Sequence, residues 1–166
     1  ILLHKSMIAD SMGSPAVGQE RRFVLLETIR LFALEQLAAS GEAEAVHQTF
    51  FEYFLTLAES AAKHQDMPDR KLWLDRLNLE RANIVMALQV ALAQNAVEST
   101  AKLVNKLYWF WYHLGLIDEG RQWFRRVLEQ STSEVSPKVY AETLLTAGHL
   151  AQIQGDWKSA LEHFAA

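Results

Sequence analysis

The sequence predicts an all-α chain of antiparallel helix pairs, preceded by a small β-hairpin, and three observations predict it. From Glu27 onward apolar residues recur at helical spacing. Turn and cap residues punctuate that pattern at Gly41, at Asp66-Met67-Pro68-Asp69, at Gly115 and at Gly155. Residues 1–26 differ from the rest, because two short apolar runs there flank a turn-rich stretch.

In that first stretch Ile1, Leu2, Leu3, Met7, Ile8 and Met12 lead into Gly13-Ser14-Pro15 and Gly18, and Phe23-Val24-Leu25-Leu26 follows; this reads as a hairpin with a long tip. Residues 27–40 place Ile29, Phe32, Ala33, Leu34 and Leu37 on one helical stripe, and Gly41 stands at the cap position. Residues 43–63 repeat the pattern with Val46, Phe50, Tyr53, Phe54, Leu57, Ala58 and Ala61. A short loop between two such helices makes a helical hairpin. Asp66 and Asp69 around Pro68 read as turn and helix-cap residues rather than as a paired carboxylate site. Residues 70–94 read as one helix carrying Leu72, Trp73, Leu77, Ile84, Leu88, Ala91 and Leu92, bent near Asn78.

In residues 141–166 the small pair Ala147-Gly148 lies seven residues before Gly155-Asp156-Trp157, and Ala160 and Phe164 follow. This spacing resembles a tetratricopeptide repeat. Gly148 and Ala160 permit close helix approach, Gly155-Asp156 turns and caps, and Trp157 and Phe164 fill the space between the helices. A degenerate copy occupies residues 101–130, with Gly115 at the turn and Gly120 at the close contact. The turn glycines are 40 residues apart, against a usual period of about 34. The excess falls in the Ser- and Thr-rich linker 131–137.

Composition bounds the function. The chain has 166 residues, half of them hydrophobic, with 16 basic against 20 acidic side chains and a net charge of −4. That suits one domain, or one domain and a fragment, with a real core. Without cysteine there is no disulfide framework, thiolate zinc site or thiol nucleophile. The mild acidity offers no field for a phosphate backbone. No apolar run approaches the roughly 20 residues that cross a bilayer, so no membrane partner is expected and the cytoplasm is the expected compartment. Ile1 at the start, and a helical pattern still running at Ala166, read as a piece of a longer protein, truncated at the carboxyl end.

Three runs, RRFVLLETIRLFALEQLAASGE, WLDRLNLERANIVMALQVAL and LYWFWYHLGLIDEGRQWFRRVLE, give the chain a family likeness. It resembles the segment after the nucleotide-binding module of bacterial STAND-type signalling ATPases, many of them LuxR-family transcriptional regulators. The resemblance implies that residues 1–26 are the end of a winged-helix domain with its wing, and that residues 27–166 are a helical-repeat arm. It implies a non-catalytic sensor module that binds an effector or protein partner on a concave face and contacts the ATPase core. ATP and DNA would then belong to other parts of the parent. No Gly-x-x-x-x-Gly-Lys-Ser/Thr loop and no complete DNA-reading helix-turn-helix is present. Arg21-Arg22, beside Glu20 at the base of the wing, cannot by themselves read bases.

No catalytic, metal or cofactor site is expected. Glu44 and His47 share the Glu-x-x-His spacing of di-iron bundles but lack a second copy, and neither a zincin motif nor a nucleophile elbow occurs. The candidate sites are for binding. Five consecutive aromatics, Tyr108 to Tyr112, must point all around a helix. By the repeat resemblance, Asn105, Trp109, Tyr112 and His113 line the concave face in the first copy, with Leu145, His149 and Gln152 beside them in the second; Phe110, Trp111 and Trp123 pack inside. The alternative is that Trp109 and Tyr112 pack against a neighbouring helix hairpin. His113 and His149 project from neighbouring helices, without the carboxylates a metal pair would want. Arg121 and Arg125, one turn apart, are candidate anion contacts, with Arg126 beside them and Glu119 and Glu129 in reach to neutralise them. A structural scaffold that forms homo-oligomers without a small ligand is the competing function.

Overall fold

The computed structural model describes residues 8–11, 22–131 and 135–166. The chain is all-α in class and divides into two compact units, Ile1–Thr49 and Phe50–Ala166. In the first, strand β1 (Ile8–Ser11) pairs antiparallel with β2 (Arg22–Leu25), with Ile8 opposite Leu25 and Ser11 opposite Arg22. The hairpin tip expected at Gly13, Pro15 and Gly18 lies outside the described residues. Helix α1 (Glu27–Ser40) opens with an Arg30–Glu27 ion pair and ends on Gly41, whose φ of +76° is reached most readily by glycine. No residue of α1 is buried, and Phe32 stands exposed. Periodicity shows that the α1 stripe could be buried; it does not supply a partner to bury it.

Helix α2 (Ala43–Ala62) carries its buried residues, Phe51, Phe54, Leu57, Ala58 and Ala61, in the second unit. There it is followed by α3 (Arg70–Leu79), α4 (Arg81–Ala93), α5 (Val97–His113), α6 (Ile117–Gln130), α7 (Pro137–Ile153) and α8 (Trp157–Ala165). Residues 70–94 are therefore two helices, broken at Glu80, whose N–H turns back to the carbonyls of Arg76 and Leu77. Leu74, Leu77, Ile84, Leu88 and Ala91 keep helical spacing across the break, which is why periodicity reads one helix; the bend expected near Asn78 falls two residues before the break. Asp69 does stand at the N-cap of α3 but makes no capping bond. Its carboxylate instead pairs with His64 Nδ1 at 2.9 Å, and the imidazole stacks on Trp73.

Three helices end in the same way. At Asn95, Gly115 and Gly155 the backbone turns left-handed, with φ of 57°, 69° and 77°. In each case its N–H bonds a carbonyl three residues back and the next N–H bonds one five residues back: Asn95 to Leu92 with Ala96 to Ala91, Gly115 to Tyr112 with Leu116 to Trp111, Gly155 to Gln152 with Asp156 to Ala151. These are Schellman turns, which satisfy orphan helix carbonyls while reversing the chain.

Helix α5 is the centre, touching α3, α4, α6 and α7. Leu103, Val104, Leu107, Phe110 and Trp111 on α5 meet Trp123, Phe124 and Val127 of α6 and Leu150 of α7 in one core. Helices α5 and α7 run parallel, because their cross-links keep a nearly constant offset along the chain. Glu98 accepts from the Ser136 N–H at 2.9 Å, Asn105 donates to Thr143 Oγ1 at 3.1 Å, and Lys106 pairs with Glu142 at 3.7 Å. Gly120 and Gly148 are the close approaches. A Cβ on Gly120 would stand 2.9 Å from Leu150 and 3.1 Å from Trp111, and one on Gly148 would collide with the Phe164 ring. Ala160 is buried as the repeat spacing implied, but Trp157 is 62% exposed and does not fill the space between α7 and α8. The reason is positional: Trp157 is the first residue of α8, where its ring leaves the pair rather than entering it. Among the described residues no helix is long and apolar enough to cross a membrane.

Because Leu150 and Trp111 are fully buried and cannot yield, Gly120→Val is expected to cost about 2 kcal/mol through overpacking. Gly115→Ala meets no neighbour, and its cost is the left-handed strain alone, about 1 kcal/mol. Urea unfolding of the two variants checks this order, and Gly120→Val as stable as the natural protein would show a looser crossing.

Candidate functional site

The parallel placement of α5 and α7 brings side chains of both onto one face. Tyr108 and Tyr112, one turn apart on α5, stack with ring centroids 6.3 Å apart. His149 of α7 lies 6.4 Å from Tyr108 and 5.6 Å from Phe164 of α8. At the other end Tyr112 meets His113 at 5.0 Å, and His113 meets Trp109 edge-on at 6.1 Å. The result is a continuous row of six rings across three helices. Leu145, Gln152 and the half-buried Asn105 belong to the same two helices, α5 and α7.

The expected residues divide on burial. Tyr112 is 46% and Leu145 52% exposed, His113 and Gln152 are exposed, and His149 is half-buried between its two aromatic neighbours. Trp109 differs: at 3% exposure it belongs to the core, so it supports the row from beneath and offers no ring to a ligand. Its bulk explains this, since an indole beside the α5 crossings buries more apolar area than any neighbour could. Trp109 Nε1 and Asn105 Oδ1, one turn apart, have no hydrogen-bond partner among the described residues. Phe110, Trp111 and Trp123 are inside. His113 and His149 do not meet directly; Tyr112 and Tyr108 stand between them in the row. Burial and the Arg70 charge lower the His113 pKa, opposed by Asp66, so it is neutral at pH 7. Burial raises that of Tyr108, which stays a neutral phenol.

Arg121 is not free to take an anion. Its guanidinium donates to Gln154 Oε1 at 2.7 Å and pairs with Asp156 at 2.5 Å, while Gln154 Nε2 donates to Asp118 at 2.7 Å. Arg125 is exposed, and Arg126 lies over the Trp123 ring at 4.9 Å. Glu119, expected to neutralise the α6 arginines, is instead taken by Arg81 of α4 and by Trp111 Nε1 at 3.3 Å. Tyr108 and Phe164 complete the row but were not among the expected site residues. The Tyr108/Tyr112 spacing of one turn carried the first, while only the fold could place the second. Among the described residues no three His, Asp or Glu side chains gather as metal ligands would.

Comparison with known proteins gives relatives of one kind. The chain is 32% identical over 131 residues, 78% of its length, to a protein of Mycobacterium bovis and to two of Mycobacterium tuberculosis strains, all provisionally named HTH-type transcriptional regulators. It spans 14% of the length of these curated relatives. No family model matches the chain, and no solved structure matches it.

The Arg121–Asp156 pair predicts an acid-dependent loss of stability. Arg121 first, then the Ser159 hydrogen bonds, lower Asp156 from 3.8 to about 2. A carboxylate held below its unfolded value stabilises fully above pH 4 or so and ceases to as the pH falls towards 2. Asp156→Asn keeps an N-cap acceptor but removes the ion pair. The difference in Tm between natural and variant protein is therefore expected at neutral pH and should close near pH 2; a difference constant with pH would mean the ion pair adds nothing.

Proposed function

We propose that this chain is a non-catalytic sensor arm of a transcriptional regulator of the STAND-type ATPase and LuxR-family kind, which takes an effector or protein partner on the ring-lined face of α5 and α7. The single observation that carries the reading is the half-open row His113–Tyr112–Tyr108–His149–Phe164, backed by a buried Trp109 and flanked by the exposed Leu145. Flat rings give large contact area at low entropic cost. The regulator names of the relatives support the setting. The pairs α5/α6 and α7/α8, with Schellman turns 40 residues apart and first helices parallel, support a tetratricopeptide-like solenoid. β1 and β2 are then the wing of a preceding winged helix.

The mechanism is a shift of populations. A partner that prefers one arrangement of arm and ATPase core biases the equilibrium by its differential affinity, and roughly 1 to 3 kcal/mol of coupling is enough. No bond is made or broken in this segment, and ATP and DNA engage other parts of the parent in the cytoplasm.

A second reading, a scaffold for self-assembly, draws on Trp157 and Leu161, which leave the outer side of α8 apolar and open, Leu161 being 68% exposed. The two readings separate in solution. Thermal-shift screening against sugars and peptides is expected to find a ligand that raises Tm. Tyr112→Ala with Leu145→Ala should abolish that shift while lowering the ligand-free Tm only modestly, since both side chains are about half exposed. Silence across the library, with a dimer that Leu161→Glu dissociates, would overturn the sensor reading in favour of the scaffold.

A further inference from the structure

On α6 and α8 lies a second feature, a cleft of about 830 Å³ that shares no residue with the ring row. Its volume falls within the roughly 300–1,000 Å³ of small-ligand sites. The floor is apolar, formed by the buried Phe124 and Ala147. The α6 wall carries Gln122, Arg125 and Glu129, and Glu162 stands on the α8 wall.

The charges are what make the cleft selective. Of its two arginines, Arg121 is consumed by Asp156 and Gln154, which leaves Arg125 as the cleft's open guanidinium. Glu129 lies one helical turn from Arg125, yet no ion pair joins them. Among the described residues Glu162 meets only Lys158, at 4.0 Å and with both side chains largely exposed, a contact of little strength. One wall therefore offers an open cation beside an open carboxylate, and a second carboxylate faces them. A simple anion would meet Glu129 and Glu162, besides Asp118, which already accepts from Gln154, and a simple cation would meet Arg125. A molecule with opposite charges at its two ends satisfies Arg125, Glu129 and Glu162. Gln122, about one turn before Arg125 on the same helix, can both donate to and accept from a peptide group.

We propose that the α6–α8 cleft binds a short peptide with free termini, its carboxylate on Arg125 and its ammonium group between Glu129 and Glu162. Arginine presents a planar fork that matches a carboxylate. Small apolar side chains on the peptide would rest on the half-buried Leu128, beneath which Phe124 and Ala147 are buried. Three extended residues span about 10 Å.

Isothermal titration calorimetry on the full chain tests this with trialanine, its N-acetyl form and its C-terminal amide. Trialanine is expected to bind, and capping either end to weaken it about tenfold, the scale of one charge-assisted hydrogen bond. Arg125→Ala should weaken trialanine and the N-acetyl form about tenfold and leave the amide unchanged. Glu129→Gln with Glu162→Gln should do the reverse, weakening trialanine and the amide and sparing the N-acetyl form. Arg125, Glu129 and Glu162 are exposed, so an unchanged Tm without ligand checks that the variants fold. No binding by trialanine at millimolar concentration, equal binding of all three forms, or indifference to Arg125→Ala would each overturn the proposal. Such failure leaves the ring-face reading standing, because neither Tyr112 nor Leu145 lines the cleft.

Discussion

The close approach of α6 to α5 and α7 at Gly120 is the constraint on which the carboxyl-terminal half of the molecule rests. With no side chain there, Trp111 and Leu150 pack to within van der Waals reach of the α6 backbone. The two residues flanking Gly120 point elsewhere, as helical geometry requires. Glu119 gathers Arg81 of α4 and the indole N–H of Trp111, while Arg121 reaches forward to the α7–α8 turn at Gln154 and Asp156. Three consecutive residues thus connect α6 to the helices before and after it.

Polar cross-links of this kind supply modest energy, since most of the ion pairs are half-exposed. Their larger effect is to fix register. Apolar ridges tolerate sliding, but Glu98–Ser136, Asn105–Thr143 and Arg81–Glu119 each close at a separation of 38 residues. A one-turn shift of α7 along α5 would break the first two at once, and the same shift of α6 along α4 would break the third. The parallel alignment of α5 and α7 that Glu98–Ser136 and Asn105–Thr143 hold is what turns scattered aromatics into a row.

Burial on that face follows from size and position. Trp109, the largest side chain in the set, is drawn beneath the row, where its area removed from water is greatest, even though its N–H finds no partner. Tyr112, one position past the buried Trp111, turns outward, and Leu145 is left open on the neighbouring helix. On α6 and α8 the inequality is one of charge, because one arginine is spent on a helix turn and the next is not. Ring row and cleft are therefore separate consequences of how α5 to α8 are stacked.

The helices from residue 97 onward, their turns at Gly115 and Gly155, and the small residues Gly120, Gly148 and Ala160 were all readable, because each rests on local spacing or on a backbone conformation that few residues adopt. So was the interior position of Phe110, Trp111 and Trp123. Tertiary structure decided the rest. The break at Glu80 is invisible to periodicity, since the apolar stripe stays in phase through it. The left-handed turn at Asn95 lacks the glycine that would have marked it. The outward Trp157, the uncovered stripe of α1, the buried Trp109 and the pairing of Arg121 with Asp156 all depend on which surface lies opposite. Spacing along a chain specifies which residues share a side of a helix; only the packing of one helix on another specifies what that side meets.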